Sequence, residues 1–339
     1  MKLNADDALG LGRSNSYGVW NSGPSGDVST NPTHASRRIY DGYAKIHAPP
    51  PDRVLDLHAP VFTMGSCFAR EIEAALRAKG GNVVSMDMAR MDRPEFRDAN
   101  GKIRNGFFHR FTPRALWHEF KIAFDELPSW DPERSLLFPY GEAFVDFNYW
   151  SVTGFDESLA AHRVRRALAK EFVRKVTESE LVILTLGLNE SWLHKPSGFH
   201  CNRINPKVLA RRADEFELHF LDYPETLFCL EDIRRMLKAY HRTGDFVLVV
   251  TVSPVPLTMT FSGTDVIIAN ERSKAILRAA ADTFCNGAPD VRYFPSYELV
   301  RFSAPDLTWR PDRVHVQGPM VQHVVDTFCE AYFAPAGRG

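Results

Sequence analysis

Val61-Phe62-Thr63-Met64-Gly65-Ser66-Cys67-Phe68-Ala69 is the stretch on which the fold turns. Val61 to Met64 read as a short buried strand. Gly65 permits a sharp turn. The chain then takes up helical spacing, with Phe68, Ile72 and Leu76 four residues apart. Gly80-Gly81 stops that helix, and Asn82-Val83-Val84-Ser85-Met86 reads as the next strand. Strand, tight turn, helix and strand together make a βαβ unit.

The same alternation continues outward. Leu181-Val182-Ile183-Leu184-Thr185-Leu186 and Phe246-Val247-Leu248-Val249-Val250-Thr251-Val252 are continuous apolar runs, and Val291-Arg292-Tyr293-Phe294-Pro295 is a weaker one. Unbroken apolar strands indicate a parallel sheet covered on both faces. Helical periods lie between and after them: Val164, Leu168, Phe172 and Val176; Leu230, Ile233, Leu237 and Tyr240; Ile276, Leu277, Ala280 and Phe284; Met320, Val324, Val325 and Phe328. The expected class is α/β, a doubly wound, mostly parallel sheet sandwiched by helices.

Two regions stand outside this pattern. Residues 1–55 are polar, rich in Ser, Asn, Gly and Pro, and read as a flexible or extended arm, with Pro49-Pro50-Pro51 as a stiff spacer. Residues 88–158 break the strand–helix alternation and hold 15 aromatic residues in 71. That region reads as an inserted aromatic-rich cap on a single α/β domain spanning 56–335. Trp117, Phe120 and Phe124, at helical spacing, read as core. Trp130, Tyr149 and Trp150 fall outside that period and could offer a stacking face.

Lys+Arg is 41 and Asp+Glu is 42, so 41 − 42 leaves a net charge of −1. This balance argues against a nucleic-acid binder. No apolar run is long enough for a membrane span, and the first residues lack a secretory pattern. Five cysteines in 339 residues argue against a disulfide framework and for a reducing, cytoplasmic setting. There is no Gly-x-Gly-x-x-Gly at a strand–helix turn and no P-loop, so no nucleotide cofactor is expected. His194, His200 and Cys201 invite a zinc reading, but their spacing matches no common ligand pattern, and no metal is expected. Cys229, Cys285 and Cys329 read as core, and Arg272 and Lys274 as solvated helix residues.

Ligands of open parallel sheets bind at the carboxyl ends of the strands. Ser66 and Cys67 follow the first strand at a helix N-terminus, where free N–H groups and the helix dipole stabilise a thiolate or an oxyanion. A small-residue turn with a buried cysteine is the plainer reading. Asn189, in Gly187-Leu188-Asn189-Glu190-Ser191-Trp192, could place an amide over the same crevice or simply cap a turn. Asp312 and His315, in Pro311-Asp312-Arg313-Val314-His315, have the spacing of a general base and the carboxylate that fixes its tautomer.

Gly65-Ser66-Cys67-Phe68-Ala69 spells the signature of the GSCFA family, which is similar to the SGNH (GDSL-like) hydrolases. Thr251-Val252-Ser253-Pro254-Val255-Pro256, Asn270 with Ser273-Lys274-Ala275, and Tyr293-Phe294-Pro295-Ser296-Tyr297-Glu298 resemble further segments of that family. The likeness covers roughly residues 60 to 330. It implies an SGNH/flavodoxin-like fold. It also implies Cys67 or Ser66 as nucleophile, His315 as base, and Asp312 as its orienting partner. By the same resemblance Asn189 and the Cys67 N–H form the oxyanion hole, Asn270 and Trp192 are candidate substrate contacts, and the shared Asn270 stretch gives Arg272 and Lys274 a place next to the site as the alternative to solvated residues. The implied activity is that of an acyl-ester hydrolase or acyltransferase on an acylated carbohydrate or small metabolite. The competing expectation is a catalytically inactive binding module that keeps the fold. The helix N-terminus and a charged His315 would lower the Cys67 pKa.

Overall fold

The computed structural model describes residues 2–22, 26–40, 42–48, 51, 53–86, 97, 101, 105–149 and 158–334. They form two compact units: Leu55–Tyr293, and Met1–Val54 together with Phe294–Gly339.

The larger unit is built on a four-stranded parallel sheet. Its strands are β1 (Val61–Gly65), β4 (Leu181–Leu186), β8 (Val247–Val252) and β9 (Val291–Tyr293), in the order β1-β4-β8-β9. Every residue of β1 and β4 is buried, because helices flank the sheet and no strand face is left for polar side chains. Gly65 pairs with Thr185 and Thr185 with Thr251, so the three strands end level at their carboxyl edge. Helix Cys67–Ala78 packs on β1, and helix Val266–Gly287 packs on β8 and β9.

The expected strand over 82–86 is not formed. Val83 makes a single parallel bridge to Val61, and Val84–Met86 coil into a 3-10 turn. The cause is Ser85. Its hydroxyl accepts the Thr63 N–H at 3.1 Å and donates to Glu73. A side chain thus satisfies the β1 backbone donor that a neighbouring strand's carbonyl would have taken. Residues 109–110 lie beside the other end of β1, with His109 bridging to Gly65 and the Arg110 N–H bonding the Gly65 carbonyl at 2.7 Å.

Five short strands were not read from the sequence. β2 (Leu137–Tyr140) and β3 (Ala143–Asp146) form a hairpin, and β5 (Glu190–His194), β6 (Phe199–Cys201) and β7 (Phe216–Phe220) form an antiparallel sheet in the order β6-β5-β7. Leu136, Phe138, Val145 and Phe147 share one core with Phe199, Cys201, Val208 and Phe216. Of the described aromatic residues of 105–149, Trp130, Phe138, Tyr140 and Phe147 pack with residues 190–220, while Phe108 stacks on Phe172, Trp117 meets Phe228 and Phe124 stacks on Tyr240. Residues 88–96, 98–100, 102–104 and 150–157 of the expected cap, Trp150 among them, lie outside the described residues.

The smaller unit is helical. Its segments are Ala5–Ser14, Ala35–Tyr40, Ser296–Arg301, Pro305–Thr308 and Gly318–Tyr332. The first of these, within the stretch read as an arm, buries no residue. Phe328 stacks on Tyr332 at 4.4 Å and meets Phe294 edge-on at 5.0 Å. The Ala44 N–H bonds the Ser303 hydroxyl and His323 Nε2 bonds the Ala44 carbonyl, both at 2.8 Å, tying the N-terminal segment to this core. Among the described residues, no helix is long and apolar enough to cross a membrane.

Candidate functional site

The turn after β1 admits only glycine at position 65. Its φ is +150°, and a Cβ there would stand 2.2 Å from the Thr185 carbonyl oxygen. Ser66 follows in extended conformation at the N-cap of helix Cys67–Ala78, with its N–H bonded to the Thr185 carbonyl at 3.2 Å. Its hydroxyl caps nothing. Ser66 Oγ is buried and has no hydrogen-bond partner among the described residues, an arrangement that native interiors rarely leave unused.

The loop after β4 closes on this turn. A Cβ on Gly187 would lie 3.2 Å from the Ser66 Cβ and 2.6 Å from the Phe111 carbonyl oxygen, so this position also demands glycine. The Leu188 N–H bonds the Phe111 carbonyl at 2.8 Å. Asn202 holds the opposite wall, accepting the Phe111 N–H at 3.0 Å and donating to the His109 carbonyl at 2.7 Å.

One face of helix Val266–Gly287 ties the loops after β4 and β8 together. Asn270 accepts the Leu257 N–H at 3.1 Å. The Ser273 hydroxyl accepts the Asn189 N–H at 3.1 Å. Lys274 donates to the Gly187 carbonyl at 2.7 Å and the Val255 carbonyl at 2.8 Å. Lys274 is 1% exposed. The solvated lysine expected from the sequence is thus a buried one. Its period gave a signal: Ser273 and Lys274 precede Leu277, Ala280 and Phe284 along the buried stripe. Burial pulls the Lys274 pKa down to about 7, opposed by the negative charges of Cys67 and Glu271.

Cys67, the first residue of its helix, is half-buried. Burial raises its thiol pKa from the ordinary value of 9.0, and the Phe68 N–H is the largest opposing influence. Glu71 raises the thiol pKa further, while Lys274 lowers it. The lowered pKa expected from the helix N-terminus is therefore reversed. A thiol withdrawn from water loses more than one N–H and a dipole return. Arg203 also senses Cys67. Burial brings its guanidinium down to about 10, and the cysteine's charge opposes that shift.

Asn189 is 1% exposed. Its amide Nδ2 donates to the Leu221 carbonyl at 3.2 Å, and its Oδ1 is buried with no partner among the described residues. Trp192, on β5, is half-buried and meets Phe261 edge-on at 5.3 Å. His200 Nδ1 bonds the Ser191 hydroxyl at 3.0 Å. Among the described residues, no three His, Cys, Asp or Glu gather as metal ligands. Trp130 and Tyr149 line a cleft of about 590 Å³ with Arg163, Arg166 and Lys170.

Asp312 and His315 belong to the smaller unit, where they form a pair. Asp312 Oδ2 meets His315 Nδ1 at 2.7 Å, and Asp312 Oδ1 accepts the N–H groups of Val314 and His315 at 2.9 and 3.0 Å. Arg313, at φ +54°, makes the turn that allows this. The His315 N–H, then its ring, hold the exposed Asp312 carboxyl far below the usual range. With Nδ1 so engaged, Nε2 is the nitrogen left to exchange a proton.

Glycines at 65 and 187, a half-buried thiol at a helix N-terminus, and a buried amine bridging two crossover loops lie together at the carboxyl edge of this α/β protein's parallel sheet. The family model described as the GSCFA family matches residues 60–328, and the chain belongs to that family. A search of curated proteins found no match.

Proposed function

We propose that the protein is an acyl-ester hydrolase or acyltransferase of the SGNH type, with Cys67 as nucleophile and an acylated carbohydrate or small metabolite as substrate. The observation that carries this reading is the Ser66-Cys67 turn itself. It has a sulfur on the first turn of a helix at the sheet's carboxyl edge, beside a buried hydroxyl with no partner among the described residues. Attack of the thiolate on the acyl carbonyl gives a thioester. The Cys67 N–H and, in this reading, the Asn189 amide hold the oxyanion. A thioester resists water better than it resists a stronger nucleophile, so an acceptor hydroxyl or amine can compete for the acyl group. The Asp312–His315 pair supplies an oriented imidazole of the kind that SGNH chemistry uses.

Activated esters of graded acyl length, followed by intact-mass measurement, test this reading. Cys67→Ala is expected to abolish the covalent adduct, and Ser66→Ala to keep at least about a tenth of its formation rate. His315→Ala is expected to slow turnover by about 10²-fold or more. The reverse outcome for the two nucleophile variants makes Ser66 the nucleophile. No adduct with any ester leaves the binding-module reading, which the protonated Cys67 thiol and the engagement of Asn189 Nδ2 with Leu221 favour.

A further inference from the structure

We infer that Lys274 is the proton acceptor for the Cys67 thiol, working through its neutral amine; the inference rests on Cys67 being the nucleophile. Lysine on an amphipathic helix ordinarily keeps its ammonium in water. Here the side chain is 1% exposed and reaches inward from helix Val266–Gly287 to two loops of the sheet's carboxyl edge. One of those loops is packed against the nucleophile turn, since Gly187, whose carbonyl Lys274 binds, abuts Ser66.

The hydrogen-bond count points to the neutral form. An ammonium carries three donors and an amine two. Among the described residues Lys274 has two acceptors, the carbonyls of Gly187 and Val255. Two N–H bonds are satisfied, and the lone pair of an amine is left as the place for one proton. No carboxylate stands within ion-pair distance of Nζ among the described residues. The charged groups that sense it are Cys67 and Glu271. Those that sense Cys67 are Glu71 on its own helix, Lys274 and Arg203. A thiol pushed up and an amine pulled down have converging proton affinities, the condition for transfer between them.

The step balances without an outside reagent. The Cys67 S–H bond breaks, its proton bonds to Lys274 Nζ, and the electron pair stays on sulfur. The thiolate forms the S–C bond with the acyl carbon, and the C–O bond to the leaving alcohol breaks. The alkoxide takes the proton from Nζ, returning the amine. In the resting protein the ion pair is a minor form of the singly protonated dyad. It exists only once the first proton has left, so its fraction reaches a plateau near pH 7.

Iodoacetamide on the full-length protein reads this directly, with alkylation of Cys67 followed by peptide mass spectrometry from pH 5 to 11. The wild type is expected to show a rate step centred near pH 7, a plateau, and a second rise above pH 9. Lys274→Met is expected to lose the step, leaving one rise of about tenfold per pH unit, and to react at least about tenfold more slowly at pH 7. Lys274→Arg keeps a permanent cation. Its single midpoint should lie below that of Lys274→Met, while thioester formation falls because no neutral acceptor remains. A lysine that only ties the loops would give no step near pH 7 in the wild type, and that profile overturns the inference. Should Lys274→Met not fold, the wild-type step and the Lys274→Arg split decide alone. A wild-type step without any acyl adduct keeps the proton transfer and rejects the enzyme. An adduct without the step keeps the enzyme and rejects Lys274.

Discussion

Gly65→Ala is expected to destabilise the protein by about 3–5 kcal/mol, enough to unfold much of an ordinary domain. Two costs combine. The backbone at φ +150° is one that alanine rarely adopts, and the new methyl would lie 2.2 Å from the Thr185 carbonyl oxygen and 2.8 Å from the Thr185 Cβ. Thr185 cannot yield, because β4 is the second strand of the sheet, paired with β1 on one side and β8 on the other. Gly263→Ala separates the costs. Gly263 has φ +73° and nothing within 4 Å of its added Cβ, so only the backbone penalty of about 1–2 kcal/mol applies. Urea midpoints of the two variants measure the difference. Equal losses would show that the turn after β1 has room the structure does not give it.

Acid is the second large lever. Burial holds three histidines neutral: His109, His118 and His200 are each lowered to about 3. Their folded pKa values lie below the ordinary 6.5, so between pH 6.5 and 3 the unfolded chain binds more protons. Stability must then fall as pH falls through 6.5. Glu73 works the other way. Burial raises it to about 7, so the folded protein keeps an extra proton between pH 7 and the ordinary 4.5. In the window from 6.5 to 4.5 the sum is three protons minus one. The expected net loss is at most about 3 kcal/mol per pH unit, at 1.36 kcal/mol per proton and unit. Urea titrations at pH 7.5, 6.0 and 5.0 should show the midpoint dropping steeply, and His118→Phe should flatten the drop by about one proton. A midpoint that holds or rises toward pH 5 would mean that these rings reach water or acquire acceptors.

The sheet was legible because its β1 and β4 strands are buried on every residue and β8 on all but its first. β1, β4 and β8 can be read only as continuous apolar runs, and each was. The antiparallel strands were not, because each is only three to five residues long, too short for a period to stand out. Phe216-Glu217-Leu218-His219-Phe220 does alternate apolar and polar residues, and that faint period was the signal available, whereas Glu190-Ser191-Trp192-Leu193-His194 carries none. Ser85 shows the limit from the other side. Asn82 to Met86 has strand composition, yet one hydroxyl bonded to Thr63 and Glu73 displaces the ladder.

The site divides in the same way. Gly65, Ser66 and Cys67 were readable from position, and Asp312 with His315 from spacing; the structure gives the second pair its hydrogen bond. Lys274 was only faintly readable, from the buried stripe that continues through Leu277, Ala280 and Phe284. Its burial depends on carbonyls of Gly187 and Val255, residues 87 and 19 positions away in sequence. The Cys67 pKa went the same way, since the dipole is local and the desolvation is a property of the packed turn.

The central claim is a thioester on Cys67, and its neighbour Ser66 would carry an oxyester on the same peptide. Wild-type protein acylated by an activated ester, quenched in acid and then treated with hydroxylamine at neutral pH, distinguishes them. We predict an acyl mass on the Ser66-Cys67 peptide that hydroxylamine removes, leaving a free thiol at Cys67. An acyl mass that survives hydroxylamine, or a peptide that never gains one, would contradict the account.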